Sequence, residues 1–262
     1  MRPRVVLGRS MIRLGRLIES LAVMAMRPDD LVEFSRQSYL RPRTVAGWSR
    51  SELVEPGLYD QEKALLRHLP VKEGRLLLLG VGGGREAIPL GRMGFAITGV
   101  DFIPEMVAKA VENAGRHGIA VEGLVQEISS LDVPEAAYDV AWLSAAMYSC
   151  LPTRRRRVAM LRRIRRALRP GGFFVFQFHW SAGDRRSRRL ELARRVFAGL
   201  TLGNLSYEPG DMLWGGVEFI HGFLSEAELR SEFAEGGFDI THLELPSAER
   251  GIRGGAVLRK HP

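Results

Sequence analysis

The chain has 262 residues, 45% of them hydrophobic, which is enough to bury one large core and leaves room for an extension. A single cysteine, Cys150, excludes an internal disulfide, argues against a cysteine zinc site and fits a reducing cytoplasm. The net charge of +8 is almost wholly arginine and is spread along the chain, as codon bias in a GC-rich genome would leave it; the other reading is a nucleic-acid, anionic-lipid or acidic partner.

No apolar stretch reaches the ~18–20 residues that span a bilayer. A secretory signal is also excluded, because Arg13, Arg16 and Glu19 interrupt the N-terminal apolar segment. Leu14, Leu17, Ile18 and Leu21 recur at helical spacing, which predicts an amphipathic helix over 9–26. That helix is expected to pack on the main domain as a lid; a basic helix lying on a membrane surface is the alternative. A second helix is expected over 28–37, a loop over 39–48 because of Pro42 and Gly47, and a third helix over 59–68. Residues 1–70 thus read as a helical N-terminal extension.

From residue 71 the pattern alternates. Strands are expected at 75–79, 96–101, 121–126, 138–144 and 173–178, with helices over 85–93, 104–117 and 153–168 between them. Such alternation implies an α/β domain over 71–262: a Rossmann-like, mostly parallel sheet with helices on both faces. The tail differs. Ser225 caps a helix that Gly236-Gly237 ends, and strands at 238–245 and 256–259, joined by 246–255, form a C-terminal antiparallel hairpin. The expected sheet has seven strands. Residues 181–222 are long for one connection and read as a substrate-side insertion: a helix over 184–200, then irregular chain with Gly203, Pro209-Gly210 and Gly215-Gly216.

The turn after the first strand carries the chemistry. Leu76 to Leu79 run into Gly80-Val81-Gly82-Gly83-Gly84, and the second strand ends at Asp101. Glycines let backbone approach a ligand closely, and the helix start behind them offers free N–H groups. An acid at the end of the second strand can accept hydrogen bonds from ribose hydroxyls. The frame Gly82-x-Gly84-x-x-Ala87 also satisfies the dinucleotide pattern, so the glycines alone do not exclude NAD.

Taken with its other motifs, the chain resembles the class I S-adenosylmethionine (SAM)-dependent methyltransferases over roughly residues 71–262. Gly80, Gly82 and Gly84 resemble the family's first motif, under the methionine and ribose of SAM. Asp101 and Phe102 resemble the ribose-binding acid and the residue flanking the adenine. Glu127 and Ile128 resemble the segment that reads the adenine edge. Ser144 opens the segment Ser144-Ala145-Ala146-Met147, where the family lines the methyl-transfer site, and Leu168-Arg169-Pro170-Gly171-Gly172 resembles its post-helix turn. One position departs: the acid usual two residues before the first glycine is Leu78 here, so its contact with the methionine amine is not carried over.

The resemblance implies methyl transfer from SAM to oxygen or nitrogen of a small-molecule acceptor. An RNA or protein methyltransferase and a non-catalytic SAM-binding scaffold are the alternatives. No metal is expected, and the sequence leaves the oligomeric state open. Positioning alone can supply much of the rate. His179, after strand five, is the candidate general base, with a structural histidine as the other reading. Tyr148 is the second candidate for a catalytic role; it and Trp180 either shape an acceptor pocket or pack in the core, and His221 reads as structural. The arginines from Arg154 to Arg166 read as the solvated face of their helix. Those at 185, 186, 188, 189, 194 and 195 would serve an anionic or nucleic-acid substrate, though no aromatic ladder interleaves with them.

Overall fold

The computed structural model describes residues 2–181, 188–246 and 252–261. Its N-terminal part is helical: α1 Pro3–Ala25, α2 Pro28–Tyr39, α3 Pro42–Trp48, α4 Ser51–Val54 and α5 Asp60–Arg67. The first three each open on a proline, whose fixed φ and missing N–H suit the first helical turn. The same chemistry corrects the loop expected over 39–48. Pro42 starts a helix there, and nothing crowds Gly47.

The alternating part follows as β1 Gly74–Leu79, α6 Ala87–Arg92, β2 Phe95–Asp101, α7 Pro104–Arg116, β3 Val121–Val125, β4 Tyr138–Leu143, α8 Arg154–Ala167 and β5 Leu168–His179. After it come α9 Arg188–Leu200, β6 Asp211–Trp214, β7 Glu218–His221, α10 Glu226–Gly236, β8 Phe238–Glu244 and β9 Arg253–Lys260. Seven strands form one sheet in the order β3-β2-β1-β4-β5-β9-β8. β9 runs antiparallel to both neighbours, and the pairs among β1 to β5 are parallel. The strand order reverses between β1 and β4, where ligands of open α/β sheets bind. The C-terminal hairpin is therefore present, with β9 wedged between β5 and the edge strand β8; its linker residues 247–251 lie outside the described residues.

Alternation along β1 divides the core. Leu77 and Leu79 face a cluster with Leu143, Phe176, Leu161 and Phe233, while Leu76 and Leu78 face one with Trp142, Leu65, Leu90 and Ala110. Leu78 is thus a wholly buried core residue.

Two further expectations are corrected. Pro170-Gly171-Gly172 does not precede β5 but lies inside it, in a stretch where the pairing with β4 shifts register between Tyr138 and Val140. The chain after α9 is irregular, as expected, only as far as Gly210. Gly215 and Gly216, both at positive φ, turn a hairpin in which Trp214 pairs with Glu218. Residues 184–187 of the helix expected over 184–200, including Arg185 and Arg186, lie outside the described residues.

The α8 arginines are also not a plain solvated face. Arg157 is fully buried; its Nη2 donates to Glu232 and to Glu208, both at 2.7 Å. Arg154 and Arg162 pair with Glu235, and Arg156 pairs with Asp29. His221 is fully buried between Asp211 (2.8 Å) and Glu228 (2.9 Å), so its reading as structural agrees with its surroundings. Ligating atoms of Glu208, Asp211 and His221 lie within 4.8 Å of one another. All three are already engaged in this ion-pair network.

Candidate functional site

The glycine turn is bent as its sequence requires. Gly80, Gly82 and Gly84 have φ of +74°, +51° and +92°, in the region that side chains with a Cβ disfavour. A Cβ on Gly80 would lie 2.3 Å from the Met147 sulfur, and one on Gly84 would press on the α7 backbone at Ala110, 3.1 Å away. A Cβ on Gly82 would meet nothing within 4 Å. Its exposed side opens into a cavity of about 460 Å³.

Asp101 closes the base of the turn. Its Oδ2 accepts from the Gly82 N–H at 3.0 Å and its Oδ1 from the Ile103 N–H at 3.1 Å. Burial pushes its carboxyl above the usual range, and these N–H groups pull the other way. Phe102 lies beside it under the Arg36 guanidinium, 5.5 Å from the ring centre. Glu127 pairs with Arg36 of α2 at 2.6 Å, and Ile128 begins a 3₁₀ turn. At the end of β4, the Ser144 N–H donates to the Leu79 carbonyl at 2.9 Å. Gly80, Gly82, Asp101, Phe102, Glu127, Ile128 and Ser144 all line the cavity; Gly84 sits behind it against α7.

The two residues expected to be catalytic are not among the cavity-lining residues. Tyr148 is fully buried; its hydroxyl donates to Glu232 at 2.6 Å and its ring packs on Phe176 and Phe223. The 3₁₀ turn Met147–Cys150 aims Met147 and Cys150 at the cavity and Tyr148 at the core. His179 is buried, with no hydrogen-bond partner for its Nδ1 among the described residues. Burial, with Arg253 near, lowers its pKa to about 4, so the ring is neutral near pH 7.

Other ionisable side chains line the cavity. Glu86 is buried and lines the cavity; Arg85 Nη2 donates to its Oε1 at 2.5 Å, and the Ser144 hydroxyl donates to the same oxygen. Burial pushes the Glu86 carboxyl up to about 7, against the pull of Arg85 and Ser144; Glu62 adds to the rise. Arg85 is itself held by Glu62 of α5 and stacked on Tyr59. The only sequence signal for Glu86 was an acid two residues past the last glycine of the turn. On the opposite wall, the Tyr39 hydroxyl donates to Glu218 Oε1 at 2.6 Å, and the Cys150 thiol to the same oxygen at 3.1 Å. Burial and Glu218 push both the phenol and the thiol up. Tyr39 ends α2 and Glu218 begins β7, so the two segments expected to wall the substrate side do meet.

The cover over the turn is not α1. Residues of α2 and α3 line the cavity, and the Trp48 carbonyl lies 2.4 Å from where a Gly83 Cβ would sit. These features fit SAM: a glycine cradle open at Gly82, a buried carboxylate at its base and apolar walls at Phe102 and Ile128.

Comparison with known proteins agrees. Residues 76–172 match the family model described as a methyltransferase domain. A ubiquinone biosynthesis O-methyltransferase of Paramagnetospirillum magneticum is 36% identical over 117 residues, 45% of this chain and 44% of that protein. A phosphatidylethanolamine N-methyltransferase of Cereibacter sphaeroides is 33% identical over 116 residues, 44% of this chain and 55% of that protein. The chain thus spans about half the length of the curated relatives it matches. Among solved structures, a SAM-dependent methyltransferase of Methanosarcina mazei superposes with TM-score 0.58 at 22% identity, covering 78% of this chain and 99% of that one. The Burkholderia thailandensis 1,6-didemethyltoxoflavin-N1-methyltransferase, solved with that compound and S-adenosylhomocysteine, gives 0.59 at 22% identity over 88% of each chain. Residues 76–172 thus form a methyltransferase domain, and the sheet order and glycine cradle are those of the fold shared by SAM-dependent methyltransferases.

Proposed function

We propose that the protein transfers the methyl group of SAM to an oxygen or nitrogen of a small-molecule acceptor, in a reducing cytoplasm that suits its free Cys150. The observation that carries this reading is one cavity that includes both the glycine cradle and the Tyr39–Glu218 wall. When bound, SAM supplies a methyl group already made electrophilic by its sulfonium. Asp101 takes the ribose hydroxyls, Phe102 and Ile128 flank the adenine, and Glu127 faces its edge. Glu86 replaces the acid that Leu78 lacks and receives the methionine ammonium. Glu218, oriented by Tyr39, takes the proton from an acceptor hydroxyl or ammonium as the nucleophile forms. Met147, Leu151 and Trp48 keep water from the reacting atoms. O- and N-methyltransferases among the relatives support this acceptor class. A nucleic-acid substrate gains nothing from α8, whose Arg154, Arg156, Arg157 and Arg162 are taken by acids of the same chain.

Calorimetric titration with SAM and with S-adenosylhomocysteine tests the cofactor, and no binding at millimolar ligand overturns the reading. Incubating the protein with isotope-labelled SAM and a metabolite extract tests the acceptor. A small molecule gaining one labelled methyl group is expected; label found only in RNA or protein overturns that part.

A further inference from the structure

The first helix carries an apolar row away from the fold. Leu7, Met11, Leu14 and Ile18 fall on one face at about 100° per residue, and they are 62%, 65%, 57% and 58% exposed. Arg9 and Arg13 lie on the opposite face. Among the described residues the buried part of α1 is in its last turns: Val23 and Met24 are wholly buried against Leu31, Ala198 and Phe219. By the same helical spacing these two residues sit opposite the apolar row, so the row faces away from the packed side. Single exposed apolar residues are ordinary, but a row of them along one helix face marks a contact surface.

Charge selects the partner. Residues 2–27 carry six arginines against one acid, Glu19. Two copies of so basic a segment would repel each other, whereas an anionic surface attracts them. Nucleic acid would satisfy the arginines and leave the apolar row in water. Among the described residues no helix is long and apolar enough to cross a membrane, and the arginines prevent α1 from doing so. A basic helix with an apolar row along one side instead lies in the plane of the lipid headgroups.

We propose that α1 seats the protein on a bilayer surface containing anionic lipid. The row from Leu7 to Ile18 enters the acyl boundary, and the arginines stay at the level of the phosphates. This inference does not depend on which acceptor is methylated.

Co-sedimentation of the full chain with vesicles tests it, comparing phosphatidylcholine alone with phosphatidylcholine containing phosphatidylglycerol. Partitioning onto the anionic vesicles should be at least about tenfold stronger and should fall as salt is raised. Met11→Asp with Ile18→Asp, and separately Arg4→Gln with Arg13→Gln, should each lower it by about tenfold or more. All four positions are exposed, so unchanged circular dichroism and SAM titration will show the variants intact. No binding to anionic vesicles at millimolar lipid overturns the proposal, as does equal binding by wild type and both variants. A dimer without vesicles that the Asp pair dissociates also overturns it, because it assigns the row to a second copy.

Discussion

Glu86 and Ser144 meet across the head of the sheet, joining the segment after β1 to the end of β4 through a carboxylate that also holds Arg85. The Glu86 pKa, raised to about 7, sets the sign of two pH effects. A raised carboxyl stabilises the fold fully below its unfolded pKa and loses that contribution as pH rises through the folded value. Wild-type stability should therefore decline between about pH 4.5 and 7 relative to Glu86→Gln. SAM affinity should move the opposite way, rising through the same window in the wild type and staying flat in the variant. Denaturant melts and calorimetry across that range check both.

Gly82→Ala separates cradle from fold. The new methyl group meets no protein atom, and its backbone cost is of order 1–2 kcal/mol. The protein should stay folded by circular dichroism and lose at least about tenfold in SAM affinity, because a side chain now stands where the ligand backs onto the turn. Unchanged affinity would place the cofactor elsewhere.

Asp101→Asn keeps the shape of the turn and removes the charge. Its amide oxygen can still accept from the Gly82 or Ile103 N–H, so stability should change by about 1 kcal/mol or less. SAM binding should weaken several-fold in calorimetry.

The acceptor wall and His179 give opposite kinetic expectations. Glu218→Gln should lower kcat by about 10²-fold or more with SAM affinity little changed, once an acceptor is in hand. His179→Asn should leave kcat within about threefold, since a ring outside the cavity, its basicity lowered by burial, does not reach the acceptor. A large loss in the second variant and none in the first would reverse the assignment.

Arg157 predicts a stability effect with no catalytic part. Arg157→Met strands Glu232 and Glu208 without their shared cation and should cost about 3–5 kcal/mol in urea melts. Adding Glu232→Leu should recover part of that loss, because two apolar residues leave fewer charges buried unpaired.

Local chemistry made most of the fold legible. The β1 leucines, the glycine turn, Ser225 and Gly237 each act within a few residues of themselves, and each does what its type dictates. Pro42 was misread because proline both breaks helices and starts them, and only the following residues decide which. The Gly215-Gly216 hairpin was readable in principle, from a glycine pair between alternating apolar residues. The site was less legible because its missing parts depend on tertiary meetings. Nothing local says that Tyr39 reaches Glu218, 179 positions away, or that Glu86 turns toward Ser144. Tyr148 and Met147 are neighbours, and only the 3₁₀ turn decides which one faces the cavity.

The bond between Arg36 and Glu127 closes one side of the cavity with a partly exposed ion pair. Both side chains are about two-fifths exposed, at 41% and 38%, so the pair holds with no more than about 1 kcal/mol and is screened by salt. α2 itself is anchored by buried Leu31 and by the Tyr39–Glu218 bond, so it is the Arg36 side chain alone that is lightly held, above a floor packed on Leu78 and Trp142. A cavity so built can open at one side chain without loosening the helix or the sheet around it.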